Sequence, residues 1–221
     1  MEAILQQFFN LDIMRQAAPL VLRGFGMTLL VCAAVIPLGL AGGLLVALGS
    51  RLHSRLLRAL LAGFIDVLRA LPPLVLLIAI SAGLPFAGIR LSPFTCVCLA
   101  LFLNSSAYYG EVYRAGLDSV SHGQWEAARS TGLGALQTLA YVMVPQAVRN
   151  VLPDLVSNTV EVVKLTSLAS VVALPEMLYS ADMARSLTFN SSPIVLAALI
   201  YLALLWPVVR LMSRLEHRLG T

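Results

Sequence analysis

Two rows of polar side chains recur at helical spacing within otherwise apolar segments of the chain. The first row comprises Asn104, Tyr108 and Glu111, at i, i+4 and i+7, so these side chains share one face of a helix. A carboxylate inside a membrane helix is costly unless it faces a cavity or a partner. Glu111 therefore either contacts a substrate, where it would suit an ammonium group, or forms a local ion pair with Arg114 at i+3.

The second row lies between residues 150 and 164. Its members recur at i, i+4, i+7 or i+8, and i+11, and they are Asn150, Asp154, Ser157, Asn158 and Glu161. Lys164 continues close to that line. Such a row is unfavourable against lipid, so it predicts either a water-filled cavity or a polar interface with a second subunit. The expected chemistry is binding, because the sequence shows no nucleophile–base set, metal-ligand cluster or phosphate-binding glycine loop.

The composition is that of a membrane protein. Of 221 residues, 59% are hydrophobic and only 12% are charged, with a mean hydropathy of +0.87, whereas soluble domains carry about 25% charged residues. A helix of about 20 apolar residues crosses a bilayer, so we expect an all-α integral membrane fold. Five spans are predicted, near residues 20–49, 60–84, 92–116, 136–164 and 192–212. Cys32, Cys96 and Cys98 lie within them and are predicted to be small buried side chains.

Basic residues, which give the chain a net charge of +4, concentrate after the first, third and fifth predicted spans. This bias predicts the N-terminus outside, and the C-terminus and the loop of residues 117–135 in the cytoplasm. Residues 1–19 are then an amphipathic segment on the outer surface, residues 20–215 the transmembrane domain and residues 216–221 a cytoplasmic tail. The dispersal of the basic residues argues against nucleic-acid binding, and the non-basic start argues against a cleaved signal peptide.

The second predicted span contains a charged pair followed by two prolines. Asp66 and Arg69 are three residues apart and can pair on one helix face. Pro72 and Pro73 remove backbone donors, which predicts a bend. Arg69 is interpreted either as a snorkelling side chain near the cytoplasmic interface or, with Asp66 and Pro72, as a structural pivot beside a substrate path.

A short polar helix is predicted in the cytoplasmic loop between the third and fourth spans. Ser121 can cap it, with Gln124 completing a capping box, and Gly132 can end it in the left-handed conformation. Ala127 and Ala128 give a face of little bulk that another surface could approach. The helix is too small to bury a core, so it is either an ordinary surface helix or an element that fits into a partner.

The residues that follow this helix keep a fixed spacing to it. Glu126-Ala-Ala is followed by Gly132 after three residues and by Val142-Met-Val-Pro145 after nine more. This pattern resembles the EAA signature of bacterial ABC importer permeases. Further agreement with the polar amino acid branch occurs at Gly24, Thr28, Arg69-Ala-Leu-Pro72, residues 107–116, Gly123-Gln124, Pro145-Gln-Ala147 and residues 164–168. The resemblance covers about residues 20–215, although the sequence departs from it on the second polar row, at Asn158, Glu161 and Leu165.

The resemblance implies a type I ABC importer permease in the bacterial inner membrane. Its implied partners are a second permease subunit, identical or paralogous, two ATPase subunits that bind ATP and Mg²⁺, and a periplasmic or lipid-anchored solute-binding protein; no cofactor is implied for this chain. The short helix is similar to the coupling helix that docks on the ATPase. The residues implied in coupling are Gly123, Gln124, Glu126, Ala127, Ala128, Gly132 and Pro145.

These observations lead to the hypothesis of a permease that imports a polar amino acid or a close analogue by alternating access. The candidate substrate contacts are Glu111, Asn158 and Glu161, with Asn104, Tyr108 and Asp154 as further candidates. Two alternatives remain at this point. One is an importer of another cargo, such as methionine or an inorganic anion, and the other is a membrane scaffold or sensor without transport activity.

Overall fold

The computed structural model describes residues 2–219, and this range is helical without any β-strand. The α-helices are α1 (Glu2–Phe8), α2 (Leu11–Gly49), α3 (Arg55–Ala70), α4 (Pro73–Ile78), α5 (Pro93–Ser119), α6 (His122–Ser130), α7 (Ala135–Thr138), α8 (Val144–Asn150), α9 (Leu152–Leu165), α10 (Met177–Thr188) and α11 (Ser192–Leu219). Wider π-helical turns follow α4 and α7, and a 3-10 segment, Thr166–Val172, extends α9. The predicted all-α class is confirmed.

Helix α2 is the longest element, with 39 residues and a length of about 58 Å. The Asn10 side chain begins it by accepting hydrogen bonds from the backbone N–H groups of Asp12 and Ile13. The break from α1 therefore lies at Phe9 and Asn10. Residues 11–19, which we predicted to belong to a separate surface segment, are continuous with the helix that forms the first span.

Helices α2 and α5 cross closely at the centre of the fold. A Cβ atom built on Gly43 would lie 2.5 Å from the Cβ atom of Tyr109 and 2.8 Å from the backbone nitrogen of Gly110. Gly39 and Gly42 face Ser105 and Ser106 in the same way. Small residues thus let the two backbones approach, and the buried core spreads from this crossing to α4, α8 and α9.

The second predicted span is broken. Helix α3 ends at Ala70, and the segment from Pro73 to Ala87 leaves it at an angle of 104°. The predicted bend at Pro72 and Pro73 is confirmed, and the helix is interrupted there between Ala70 and Pro73. The proline ring at Pro72 favours an extended conformation of Leu71, which has φ −84° and ψ 126°.

The fourth predicted span is displaced along the chain. Residues 135–150 form one continuous helical run that contains a π-helical turn, Leu139–Met143, and ends at Val151. The long apolar segment is Leu152–Val172 rather than residues 136–164. Pro153 occupies one of the first two positions of α9, where the missing N–H group is tolerated, whereas Pro145 directly follows the π-helical turn. The residues after the long apolar segment form α10, Met177–Thr188.

Within residues 2–219, three segments are long and apolar enough to cross a membrane: Glu2–Gly49, Leu152–Val172 and Ser192–Met212. The bent pair α3–α4 would be a fourth. Helix α5 has 27 residues, about 40 Å, but its polar row lowers its hydropathy. The count of five spans and the orientation of the chain stay predictions, as does the division at residues 215 and 216. Residues 220–221 of the predicted tail lie outside the described range.

Candidate functional site

The two polar rows meet at one cavity of about 270 Å³. The cavity lies between α4, α5 and α9 and is lined by Pro73, Asn104, Ser105, Tyr108, Tyr109, Asn158, Glu161, Val162 and Leu165. Asn104 and Tyr108 come from the first row, and Asn158 and Glu161 come from the second. Four of the predicted candidates are therefore neighbours in space, although about fifty residues separate the two rows along the chain.

The broken end of α3 positions the first row. Asn104 is 2% exposed and donates from Nδ2 to the backbone oxygen of Leu68 over 3.4 Å, and the Tyr108 hydroxyl donates to the backbone oxygen of Arg69 over 3.5 Å. The last carbonyl groups of a helix lack partners within the helix. Because α3 stops before Pro72, its free carbonyls can accept these bonds from α5.

The second row is positioned by α9. Asn158 donates from Nδ2 to the backbone oxygen of Asp154 over 3.1 Å, which leaves its own amide oxygen available. Glu161 forms an ion pair with Lys164 at 2.5 Å, and the Glu161 side chain is 55% exposed. The Asp154 side chain is exposed too and does not line the cavity. The outward members of this row are thus compatible with the predicted water-filled cavity and with the predicted subunit interface.

Glu111 lies outside this cavity. Its carboxylate accepts hydrogen bonds from Arg114 Nη2 at 2.6 Å and Nε at 3.0 Å, so the predicted local ion pair is confirmed. A second partner is Arg69, whose Nη1 lies 3.8 Å from Glu111 Oε1. The predicted pair between Asp66 and Arg69 is wrong, because Arg69 turns across to α5 and its guanidinium carbon lies 5.6 Å from the centre of the Tyr108 ring.

The candidate coupling helix is α6. The residue after its C-cap, Gly132, has φ 90°, which confirms the predicted left-handed end. The predicted capping box is wrong: Ser121 occupies the N-cap position, but its side chain makes no capping bond. Glu126 instead contacts His122 Nδ1 at 3.1 Å, and the Gln124 side chain accepts a hydrogen bond from Gln146 of α8.

The two alanines of α6 point in different directions. Ala128 is 7% exposed, and the half-buried Trp125 packs against the core from the same side, whereas Glu126 and Ala127 are exposed. The prediction that Ala127 and Ala128 form one open face is therefore wrong. Successive helix positions are about 100° apart, so Ala128 packs inward with Trp125, and only Ala127 remains available to a partner.

Sequence reasoning missed Tyr109 and Glu176. Tyr109 joins α5 to α9, because its hydroxyl lies 2.8 Å from Thr159 Oγ1. Glu176 is fully buried, and its two carboxylate oxygens cap α10 by accepting from Leu178 N at 2.8 Å and Tyr179 N at 2.7 Å. Burial raises the pKa of Glu176 above its ordinary value, and the backbone N–H groups act in the opposite direction. An acidic residue directly before an apolar helix was the available signal.

The bent helices, the polar cavity and the short exposed helix together define a helical membrane subunit of a transport system. A family model described as the binding-protein-dependent transport system inner membrane component matches residues 39–221, and the chain belongs to this family of ABC transporter permease subunits. It is therefore a non-catalytic component of an inner-membrane transporter. Membership of this family implies that the chain works together with an ATPase and a binding protein.

Individual relatives match nearly the whole chain. The probable amino-acid ABC transporter permease protein YckA of Bacillus subtilis is 34% identical, over 90% of this chain and 88% of the length of YckA. The probable glutamine ABC transporter permease protein GlnP of Bacillus subtilis is 37% identical, over 88% of this chain and 91% of the length of GlnP. A crystal structure of an amino acid ABC transporter with histidines superposes with a TM-score of 0.84 at 33% identity. The match covers 93% of this chain and 96% of the chain in that structure.

Proposed function

We propose that this permease imports a polar amino acid or a close analogue, and that the cavity of Asn104, Tyr108, Asn158 and Glu161 holds the substrate in transit. The convergence of the two polar rows on one cavity is the observation that carries this proposal. The names of the two relatives, an amino-acid and a glutamine transporter permease, support this cargo and favour neither methionine in particular nor an inorganic anion.

The lining matches the chemistry of an amino acid. Glu161 supplies a carboxylate for the substrate's ammonium group, and it can exchange its ion pair with Lys164 for that contact. Asn104 and Asn158 supply amide groups, whereas Val162 and Leu165 provide apolar surface beside them. A few placed polar groups in a mostly apolar cavity are typical of small-molecule sites.

Transport follows from moving the elements that border the cavity. Two copies of the ATPase bind ATP and Mg²⁺, and α6 of each permease subunit docks on them through Gly123, Gln124, Glu126 and Ala127. Gly132 sets the angle at which α6 leads into α7 and α8, and α9 follows at Val151. ATP binding then favours one of two packings and turns the cavity from the inside to the outside, where the solute-binding protein delivers substrate.

A matched pair of variants on α9 tests the cavity. Glu161→Gln keeps the shape of the side chain but removes its charge, and Asp154→Asn makes the same change seven residues earlier, outside the cavity. A hydrogen bond to a charged group contributes about 1.5–3 kcal/mol, so we expect Glu161→Gln to raise the KM for uptake by the complete transporter in proteoliposomes about tenfold or more. Unchanged uptake in Glu161→Gln would remove this residue from the site.

A further inference from the structure

Two cavities follow one another along the same side of α5. The first is the candidate substrate cavity, which Asn104 and Tyr108 line. The second, of about 310 Å³, is lined by Glu111 and Arg114 one to two turns further along α5 and by residues of α3. Because α5 continues from Arg114 to Ser119 and is followed directly by α6, the second cavity lies on the side of the candidate coupling helix.

Arg69 forms the partition between the two cavities. Tyr108 lines the first cavity and Arg69 lines the second, and the two residues are in contact. The Arg69 guanidinium lies over the Tyr108 ring, with 5.6 Å between its carbon and the ring centre. The Tyr108 hydroxyl donates to the Arg69 carbonyl oxygen over 3.5 Å. This contact therefore lies where the linings of the two cavities meet.

The ion pairs around Glu111 are unequal. Arg114 holds the Glu111 carboxylate with two hydrogen bonds, at 2.6 and 3.0 Å, and Arg114 Nη1 also lies 3.5 Å from Asp118 Oδ2. Asp118 in turn pairs with Arg51, just after α2. Glu111 is thus anchored on several sides, whereas Arg69 contributes a single contact of 3.8 Å. Of the two arginines that contact Glu111, Arg69 can therefore separate from it with the smaller loss of interaction energy.

Arg69 also stands beside the bend. It is the second-to-last residue of α3, and the chain turns by 104° between Ala70 and Pro73. Hinges of this kind absorb backbone rotation when packed helices move against each other. A small opening or closing of the bend would therefore displace the Arg69 guanidinium relative to Glu111 and Tyr108, which lie on the neighbouring helix α5.

We propose that Arg69 is the inner gate of the substrate cavity. It closes the cavity while it contacts Tyr108 and Glu111, and it opens by exchanging the Glu111 carboxylate for the carboxylate of the departing substrate. A guanidinium group binds either carboxylate with the same planar geometry, so the substrate can take the place of Glu111 as it passes. This gate rests on the proposed function, because it requires a substrate that carries a carboxylate.

Thiol labelling of the cavity tests the gate. The reporter is Leu165→Cys, a half-buried position on the apolar part of the cavity lining, in a chain whose native cysteines are replaced by alanine. Inside-out vesicles that contain the complete transporter without nucleotide are treated with an anionic, membrane-impermeant methanethiosulfonate. Arg69→Ala removes the gate. Arg58→Ala is the matched control, because Arg58 lines the second cavity but makes no ion pair among the described residues.

We expect the reporter to react about tenfold faster in Arg69→Ala. The ion pair and the cation–π contact join partly exposed groups, and together they change the equilibrium between the closed and open states by about that factor. Arg58→Ala should stay within about twofold, since it removes charge alone. Loss of a positive charge would by itself slow an anionic reagent, so faster labelling identifies an opened path. Equal rates in Arg69→Ala and the parent, or equal acceleration in both arginine variants, overturn the gate.

Glu111→Gln provides a second variant that breaks the ion pair while keeping the side-chain shape. Because it removes a negative charge, it is tested with a cationic, membrane-impermeant methanethiosulfonate, whose reaction that loss would by itself slow. Faster labelling therefore again identifies an opened path, and this variant decides the question if Arg69→Ala fails to assemble with the ATPase during purification. Uptake assays separate this inference from the proposed function. A parent transporter that takes up none of a panel of amino acids in proteoliposomes refutes the proposed function, whereas active uptake with unaltered labelling in Arg69→Ala and Glu111→Gln refutes the gate alone.

Discussion

The close crossing of α2 and α5 predicts opposite effects for two chemically identical substitutions in α2. Gly43→Ala would place a methyl group 2.5 Å from the Tyr109 Cβ atom and 2.8 Å from the Gly110 backbone nitrogen, so the helices must separate. Gly26→Ala adds the same group at an exposed position where no atom lies within 4 Å. Both variants gain about 1 kcal/mol of helix propensity, whereas Gly43→Ala alone suffers overpacking, which costs about 1–3 kcal/mol.

The helix-propensity gain cancels in the comparison, so the stability difference between the variants should equal the overpacking cost. A change of 1 kcal/mol shifts the Tm of a protein of this size by about 2–4 °C, and we expect Gly43→Ala to melt about 2–12 °C below Gly26→Ala. Thermal unfolding of the purified permease in one detergent at one scan rate measures this difference. Equal melting temperatures, or a more stable Gly43→Ala, would falsify the close packing of the two backbones.

Three further predictions concern α6, the turn after it and the buried carboxylate. Ala127→Arg should abolish co-purification of the ATPase without lowering the Tm of the permease. Ala128→Arg should lower the Tm, because the Ala128 side chain is 7% exposed. Co-purification of the ATPase with the Ala127→Arg variant would contradict the docking surface. In Gly132→Ala, the new alanine must adopt φ 90°, which costs about 1–2 kcal/mol. This variant should therefore melt below Gly123→Ala, whose added methyl group meets open space. Equal Tm values of the two variants would argue against backbone strain at Gly132. Burial raises the pKa of Glu176, so its contribution to stability is present at low pH and is lost as the pH rises through that raised pKa. Glu176→Gln should flatten this part of the Tm-against-pH profile, and an unchanged slope would exclude Glu176 as its source.

Local pattern was sufficient for some of these features. The spacing of Asn104 and Tyr108 identified the correct face of α5. The left-handed end at Gly132 and the bend at Pro72 were predicted because glycine permits a positive φ and proline fixes φ at the residue itself. The errors occurred where a choice of partner decided the outcome. Arg69 was expected to pair with Asp66 within α3, but Glu111 of the neighbouring helix lies within its reach.

The sequence by itself determined the class of protein, its two polar rows and the position of the short helix. These properties depend on composition and on periods of three to seven residues, which are independent of how the helices pack. The tertiary structure alone decided that Asn104 and Tyr108 share a cavity with Asn158 and Glu161, while Glu111 stands apart beside Arg69. That outcome depends on the 104° bend after α3 and on the packing of α9 against α5, because contacts between distant segments are set by helix packing rather than by spacing along the chain.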